Sequence, residues 1–197
     1  SKILICTYTE KAAASLQDRI RRAIRDAGAE DMIELSELWV GTIHSICDNL
    51  INENIDETWL TKGYDVLDEI TQSLFLYEHF FDIIRKNEPL ARSKWGAIHG
   101  AAKYFAKITE DMVDVKRMKK SKNEKLARIA LLYERYEDML KKRNAIDFAH
   151  MQSIVLGMLN HPRLGSQLQK KFEYIMVDEY QDTNYIQEKL FLKLSLS

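Results

Sequence analysis

The sequence predicts an α/β protein in which a helical insertion interrupts a parallel sheet. Short apolar runs near both ends of the chain are typical of buried strands, whereas apolar residues in the middle third recur three and four positions apart. Strands that lie far apart in a chain can rejoin one parallel sheet across a long crossover. We therefore expect the early strands to pair with the last one.

The first quarter of the chain alternates strand and helix. The run from Ile3 to Tyr8 predicts a strand, and from Thr9, a suitable N-cap, apolar residues follow one helical face until Gly28 stops the helix. A second strand is predicted over Leu38 to Ile43, with a helix from Ser45 to Ile55 after it.

Residues 56–145 are predicted to be helical, without a strand. Apolar residues at helical spacing define two stretches, and Pro89, Gly96 and Gly100 are expected to break the segment into separate helices. Five aromatic residues are assigned to the core of this segment and not to a base-stacking platform: Tyr77, Phe80, Phe81, Tyr133 and Tyr136.

The α/β pattern returns after residue 145. A helical stripe ends near the sequence NHPRLG, and Tyr174 to Val177 then predicts a buried strand. The domain prediction is therefore residues 1–55 and 146–197 for the sheet domain, and 56–145 for the inserted helical subdomain.

Composition excludes few classes of function. The net charge of -1 indicates no nucleic-acid or membrane partner, so any basic surface must be local. No apolar run is long enough to span a bilayer, and the amino terminus does not resemble a signal peptide, which together predict a cytoplasmic protein.

Cys6 and Cys47 are predicted to be packed thiols. A metal or catalytic pair formed by His44 and Cys47 is the weaker interpretation, because no other Cys or His repeats the spacing.

Three carboxylates directly follow the last predicted strand. Asp178 is placed to hold Mg²⁺ through water, and Glu179 to accept a proton from water that attacks a phosphate. The alternative is a solvated acidic turn in which Asp182 or Thr183 caps the next helix.

Four sequence segments, in chain order, resemble the UvrD/Rep family of superfamily 1 DNA helicases. TYTEKAA (7–13) resembles motif Ia, GTIHSIC (41–47) resembles motif Ib, and VDEYQDTN (177–184) resembles the Walker B region, motif II. AIDFAHM (145–151) is similar to the segment in which the family's chain re-enters its first RecA-like domain. The resemblance implies a partial RecA-like P-loop NTPase domain, 1A, with the all-helical subdomain 1B inserted.

The resemblance also implies an ATP- and Mg²⁺-dependent motor that moves 3′→5′ on single-stranded DNA. By this resemblance Asp178 coordinates Mg²⁺, Glu179 is the catalytic base for ATP hydrolysis, and Gln181 lies near the γ-phosphate and couples its state to the DNA site. The expected partners are single-stranded DNA and junctions of single- and double-stranded DNA.

The two motifs near the amino terminus supply the expected DNA contacts. Tyr8 is the residue predicted to stack on a base, an interaction worth roughly 1–3 kcal/mol per base. The supporting residues are Thr7, Thr9 and Lys11 in the first motif and Thr42, His44 and Ser45 in the second. The sequence departs from the family pattern at Glu10, where Asn is common and where a carboxylate would repel phosphate, and at Ile43, where Phe is usual.

The run KRMKKSKNEK, residues 116–125, concentrates basic charge. From the residues alone, this run is interpreted as a solvated surface. The resemblance implies a second interpretation, because subdomain 1B of the family's helicases can touch duplex DNA. Contacts with the duplex are accordingly assigned to Arg117, Lys119, Lys120 and Lys122.

No G-x-x-x-x-G-K-[ST] motif occurs in the chain, and the family's P-loop should precede its first strand. The chain is therefore expected to be a fragment that does not hydrolyse ATP alone. Three alternatives stay open: a helicase–nuclease subunit of the RecB/AddA kind, a catalytically inactive DNA-binding or assembly module, and a helical interaction protein.

Overall fold

The computed structural model describes residues 3–29, 38–84 and 93–195. The strands are β1 (Ile3–Thr7), β2 (Leu38–Thr42), β3 (Asp65–Leu67), β4 (Ala145–Asp147) and β5 (Tyr174–Val177). The helices are α1 (Glu10–Asp26), α2 (Ile43–Glu53), α3 (Glu69–Glu78), α4 (Phe80–Ile83), α5 (Lys94–Glu110), α6 (Val115–Lys119), α7 (Glu124–Arg143), α8 (Phe148–Asn160), α9 (Pro162–Gln169) and α10 (Tyr185–Leu194). Short 3₁₀ turns cover Ile55–Glu57 and Tyr180–Asp182.

The chain divides into two compact units. The first, called here the sheet unit, comprises Ser1–Glu53 and Ile154–Ser197; the second, called the helical unit, comprises Asn54–Ser153. The predicted domain boundaries at 55/56 and 145/146 stay a prediction. In the part of the chain that the structure describes, no helix is both long and apolar enough to cross a membrane.

The sheet unit contains a three-stranded parallel sheet in the order β2-β1-β5. Ile3 pairs with both Leu38 and Tyr174, so β1 lies in the middle. The prediction that the early strands pair with the last one is confirmed. Leu4 and Cys6 of the central strand are buried, at 0% and 3% exposure, as expected for a strand with neighbours on both sides.

The prediction that β5 is a buried strand is wrong for half of its side chains. Tyr174 and Met176 are 59% and 50% exposed, whereas Ile175 and Val177 are half-buried. Successive side chains of a strand point to opposite faces, and β5 is the edge strand of the described sheet. A continuous apolar run in the sequence did not distinguish these two faces.

Helix α1 begins and ends where the sequence predicts. Thr9 is the N-cap, and its hydroxyl accepts a hydrogen bond from the Ala12 N–H at 3.1 Å. Gly28 follows the helix with φ of +62°, a left-handed conformation that glycine adopts without steric cost. The Gln17 amide donates to the Val40 carbonyl at 2.8 Å, which fixes α1 against β2.

The helical unit contains two strands that the sequence analysis did not predict. β3 and β4 pair in parallel, with Asp65 opposite Ala145 and Leu67 opposite Asp147. Each strand has three residues, too few for a period-2 pattern to stand out from the helical pattern around it. Gly96 and Gly100 lie inside α5 and do not break it, and Pro89 lies outside the described residues.

The aromatic residues of the helical unit are divided between core and surface. Phe80, Tyr133 and Tyr136 are buried in the main apolar cluster, as predicted. Tyr77 and Phe81 are 39% and 50% exposed, so their assignment to the core is wrong. Helical spacing alone could not decide this, since α3 and α4 carry apolar residues on more than one face.

A buried polar network joins β4 to the surrounding helices. Asp147 Oδ1 accepts from the backbone N–H and Nδ1 of His150, each at 2.8 Å. Its Oδ2 accepts from the Tyr136 hydroxyl at 2.7 Å and the Gln72 amide at 3.1 Å. His150 Nε2 lies 3.2 Å from the Tyr133 hydroxyl. These bonds satisfy a carboxylate that is only 3% exposed.

The network also fixes the charge states of the buried pair. Burial alone would lower the pKa of His150, but the Asp147 carboxylate outweighs burial and, with Glu137, raises that pKa to about 9. Burial would raise the pKa of Asp147, and the adjacent His150 outweighs it in turn, so this pKa is lowered. Both groups are therefore charged at neutral pH.

Candidate functional site

Three predicted site segments meet at the carboxyl edge of the β2-β1-β5 sheet. Thr7 and Thr42 are the last residues of β1 and β2 and pair directly with each other. Asp178 follows β5, and its backbone N–H donates to the Cys6 carbonyl at 2.9 Å. Parallel strands bring their carboxyl ends to one edge, which is where α/β sheets bind ligands.

The acidic turn after β5 has a defined geometry. Glu179 has φ of +50° and ψ of +42°, a left-handed conformation that is uncommon for a residue with a side chain. Its N–H donates to Asp178 Oδ1 at 3.1 Å, and its carbonyl accepts from the Asp182 N–H at 2.9 Å. The Gln181 amide donates to Glu179 Oε2. Backbone strain of this kind is concentrated at functional sites.

The carboxylates of this turn have oxygens available for a ligand. Asp178, Glu179 and Asp182 are exposed. Among the described residues, neither Asp178 Oδ2 nor Glu179 Oε1 accepts a hydrogen bond. No group of three Asp, Glu, His or Cys side chains gathers to hold a metal within the described ranges. The open Oδ2 of Asp178 is the kind of ligand that Mg²⁺ takes, because this ion keeps several waters and binds only one or two carboxylates beside phosphate oxygens.

The acidic turn does not cap the following helix. Asn184 is the N-cap of α10, and its side chain accepts from the Gln187 N–H at 3.1 Å while Gln187 Oε1 accepts from the Asn184 N–H at 3.2 Å. The helix cap that the alternative assigned to Asp182 or Thr183 is therefore wrong, whereas its solvated acidic turn agrees with the exposed carboxylates. The carboxylates of the turn are free of that structural role.

Tyr8 connects the end of β1 to the segment after the acidic turn. Tyr8 is 42% exposed, and its hydroxyl donates to Gln187 Oε1 at 3.3 Å. Burial raises the pKa of Tyr8, and the Asp182 carboxylate raises it further. The residue is thus partly exposed, while its hydroxyl is held by the capping box of α10.

The other residues of the first motif differ in exposure. Thr7 is 2% exposed and its hydroxyl donates to the Thr9 carbonyl at 3.2 Å, so it supports the loop from inside. Thr9 is occupied as the N-cap of α1. The Lys11 side chain is exposed and has no ion-pair partner among the described residues.

The second motif is held by a small network at the end of β2. The Thr42 hydroxyl donates to Glu10 Oε1 at 2.8 Å and accepts from the Ser45 N–H at 3.2 Å. Ser45 Oγ donates to the Thr42 carbonyl at 2.9 Å. A Cβ added at Gly41 would lie 2.4 Å from Ser45 Oγ, so a larger residue there would displace the hydroxyl from its hydrogen bond to the Thr42 carbonyl. Glu10, the departure from the family pattern, thus positions Thr42.

His44 and Cys47 lie three residues apart on α2, and no group of three His, Cys, Asp or Glu side chains among the described residues is placed to hold a metal ion. His44 is half-buried, and burial lowers its pKa although Glu10 opposes the shift. Cys47 is 2% exposed, and burial raises the pKa of its thiol strongly. Cys6 is buried as well, and both are free thiols, as predicted.

The basic run forms one side of a groove in the helical unit. The groove has a cavity volume of about 980 Å³. Its apolar floor and basic rim include Tyr104, Ile108, Val113, Met118 and Leu126, with Lys107, Lys116, Arg117 and Lys120. Lys119 forms an ion pair with Glu134 at 2.5 Å, and Lys122 is exposed. Arg117 and Lys120 therefore have their charge more available than Lys119.

Sequence reasoning missed two residues that organise this region. Gln187 both caps α10 and holds Tyr8, and Glu10 holds Thr42. The pattern Asn-x-x-Gln at 184–187 is a recognisable capping-box signal for the first role. The Tyr8 and Thr42 contacts span 179 and 32 residues of chain and left no local signal.

The parallel sheet with an acidic turn at its carboxyl edge is that of a partial RecA-like α/β domain, as the sequence predicts. The chain belongs to the UvrD/Rep helicase family: the family model for the UvrD/REP helicase N-terminal domain matches residues 1–197. The family assignment made from the motifs is thereby confirmed.

Curated relatives of this chain are named as ATP-dependent DNA helicases. The chain is 29% identical to the helicase Rep of Buchnera aphidicola over 194 residues, 98% of this chain and 28% of Rep. It is 28% identical to the helicase PcrA of Bacillus subtilis over 204 residues, 98% of this chain and 25% of PcrA. To PcrA of Staphylococcus aureus it is 24% identical over 191 residues, 95% of this chain and 24% of that protein. The chain thus spans about a quarter of the length of these relatives.

Proposed function

We propose that this chain is part of an ATP-dependent DNA helicase that translocates 3′→5′ on single-stranded DNA. The observation that carries the proposal is the strained acidic turn, with open carboxylate oxygens, at the carboxyl edge of a parallel sheet in a member of the UvrD/Rep family. The 197 residues alone are proposed to be inactive in ATP hydrolysis, because they contain no P-loop sequence.

The acidic turn is proposed to act on ATP through three side chains. Asp178 would hold Mg²⁺ through water, and the ion would neutralise charge on the phosphates. Glu179 accepts the proton of the attacking water, with Oε1 open for that purpose. Gln181 donates to the other oxygen of Glu179, which orients the carboxylate.

The strand ends beside the turn are proposed to bind single-stranded DNA. Tyr8 stacks on a base, and Lys11 contacts the backbone with Ser45 and His44 beside it. Thr42 is buried and supports this surface from inside. The contact between Tyr8 and Gln187 supports coupling, because Gln187 caps the helix that directly follows the acidic turn. A shift of that turn on hydrolysis would change the position of Tyr8.

The basic groove of the helical unit is proposed as a second DNA contact. Arg117, Lys120 and Lys122 meet phosphates of a duplex at a junction, and Lys119 contributes less because Glu134 holds it. The basic side chains that line this groove support phosphate contact, which carries no base readout.

The test is ATP hydrolysis by the full-length protein with and without single-stranded DNA. Glu179→Gln should keep ATP binding and reduce hydrolysis by about 10²–10⁴-fold, the contribution of a general base. The matched control is Glu173→Gln, an exposed carboxylate just before β5, which should leave the rate unchanged.

Each other outcome of this experiment has a definite meaning. Normal hydrolysis by Glu179→Gln would remove Glu179 from the role of base. Absence of hydrolysis in the unmodified protein, with DNA binding retained, would instead indicate an inactive DNA-binding or assembly module. Strand displacement from substrates with a 3′ or a 5′ single-stranded tail then tests the polarity.

A further inference from the structure

Glu10 joins the two segments that are proposed to contact single-stranded DNA. It is the first residue of α1, directly after the N-cap Thr9 and two residues after Tyr8. The residue is exposed, yet its Oε1 accepts a hydrogen bond from the Thr42 hydroxyl at 2.8 Å. This bond connects the start of α1 to the end of β2, across 32 residues of chain.

The Thr42 hydroxyl lies in the middle of a short series of hydrogen bonds. It donates to Glu10 and accepts from the Ser45 N–H, in the first turn of α2, at 3.2 Å. A hydroxyl has a single proton to donate, and its other acceptor, Ser45 Oγ, is farther away at 3.3 Å. Without the carboxylate the proton can turn toward Ser45 Oγ, and the lone pair then turns away from the Ser45 N–H. Glu10 therefore helps to hold the first turn of α2.

The negative charge of Glu10 acts on the same surface. Burial lowers the pKa of His44 and Glu10 opposes that shift, so the field of the carboxylate reaches the first turn of α2. Lys11, which is proposed to contact the DNA backbone, is the next residue in the chain. A phosphate held by Lys11 and Ser45 would therefore lie close to a like charge, and dissolved salt would screen the repulsion between them.

We propose that Glu10 sets the affinity of the single-strand site through two opposing effects. Its hydrogen bond to Thr42 positions the first turn of α2 and so strengthens DNA binding, whereas its charge repels phosphate and weakens binding. Glu10 is thus a positioning residue and does not itself hold the DNA. This inference rests on the proposed binding of single-stranded DNA at these strand ends.

The test is binding of a fluorescently labelled oligothymidylate to the full-length protein, measured by anisotropy over a range of salt concentrations. Glu10→Gln keeps an oxygen that can accept from the Thr42 hydroxyl and removes the charge, whereas Glu10→Ala removes both. At about 0.1 M salt, Glu10→Gln should bind at least about twofold more tightly than the unmodified protein. This gain should shrink as the salt concentration rises, because the lost repulsion is one that salt screens.

The contribution of the hydrogen bond is the difference between the two variants, since both have lost the charge. Glu10→Ala should bind roughly 2–12-fold more weakly than Glu10→Gln at every salt concentration, the range for one net hydrogen bond. In a Thr42→Val background, which lacks the hydroxyl, this difference should vanish. A residue that only stabilised α1 would not show such dependence on Thr42.

The matched control is Asp18→Asn, which removes an exposed carboxylate from the same helix. At 1.5 Å per residue, Asp18 lies roughly 12 Å further along α1, beyond the screening length of about 10 Å at 0.1 M salt. Its affinity for the oligothymidylate should therefore equal that of the unmodified protein at this salt concentration. Urea denaturation establishes that every variant is folded under the conditions of the binding assay.

Three results would overturn this inference alone, in a protein that binds the oligothymidylate. One is equal affinity of the two Glu10 variants, which would leave the hydrogen bond without a role. Another is a gain in Glu10→Gln no larger than that in Asp18→Asn, which would leave the charge without a role. The third is a difference between the Glu10 variants that persists with Thr42→Val. Absence of binding by the unmodified protein would instead contradict the proposed function, and this inference with it.

Discussion

Two aspartates at strand ends, one in each compact unit, have opposite environments. Asp147 ends β4 in the helical unit, is 3% exposed, and accepts four hydrogen bonds from protein groups. Asp178 follows β5 in the sheet unit, is exposed, and accepts one from the described residues. A carboxylate whose oxygens are all satisfied stabilises the fold, whereas one with a free oxygen can bind a ligand. Residue type and strand end alone do not distinguish the two roles.

The largest expected effect on stability in this comparison is that of Asp147→Asn. Loss of the carboxylate leaves the His150 charge buried, and we expect the free energy of unfolding to fall by about 3 kcal/mol. The value is at the lower end for such pairs because His150 can release its proton. Urea denaturation measures it. The matched variant Asp178→Asn should stay within about 0.5 kcal/mol of the unmodified protein, and equal losses in both would contradict the distinction.

The buried pair also predicts a loss of stability at alkaline pH. The pKa of His150 is about 9 in the folded protein and near its ordinary 6.5 when unfolded. Since the folded pKa is the higher one, the stabilisation is complete below about 6.5 and is lost as pH rises through about 9. Asp147, Glu137, Tyr133 and Tyr136 face this imidazole. The pKa values of the two carboxyls are lowered and burial raises those of the two tyrosines, so these four groups keep their charge states while His150 titrates.

This pH dependence is measured as the difference between the unmodified protein and His150→Gln. Urea denaturation at about pH 6 and about pH 10 should show a stability advantage for His150 only at the lower value. The difference removes contributions from other groups that titrate in this range. An advantage that persists at the higher pH would indicate that hydrogen bonding, and not charge, holds the network.

The next largest expected effect is a loss of affinity for single-stranded DNA when Tyr8 of the sheet unit is replaced. Tyr8→Ala should weaken binding of an oligothymidylate by about 5–150-fold at fixed salt, equivalent to roughly 1–3 kcal/mol of stacking. Tyr8→Phe keeps the ring and loses the hydrogen bond to Gln187, so affinity should be near normal while DNA stimulation of ATP hydrolysis falls. Equal affinity in Tyr8→Ala and the unmodified protein would make Tyr8 a packing residue.

The smallest expected effect is a change in the salt dependence of DNA binding when a lysine of the basic groove in the helical unit is replaced. Lys120→Ala should reduce the slope of log Kd against log salt for a tailed duplex by about 1, because one phosphate contact is removed. Lys62→Ala, an exposed lysine of the helical unit outside the groove, is the control and should leave the slope unchanged. A similar slope change in both variants would indicate non-specific attraction.

The sequence predicted the elements that depend on local order. Residues such as Thr9 and Gly28 set the ends of α1 through their own backbone chemistry, and the acidic turn follows from the position of Asp178 and Glu179 after an apolar run. It did not predict β3 and β4, because three-residue strands are stabilised by their pairing across about 80 residues. Nor did it predict which aromatic residues of α3 and α4 are buried.

The order of motifs along the chain by itself determined the family and the segment that carries the carboxylates. Only the tertiary structure decided which of these side chains are accessible, since exposure depends on elements distant in sequence. From the sequence, Thr7 and Thr42 were predicted to contact DNA, as exposed threonines can. In the structure both are buried where β1 pairs with β2. The link between Tyr8 and Gln187 exists only because β5 pairs with β1 and brings α10 beside it. The residues of the acidic turn determine its backbone conformation, whereas the packing of distant elements determines which side chains lie beside it.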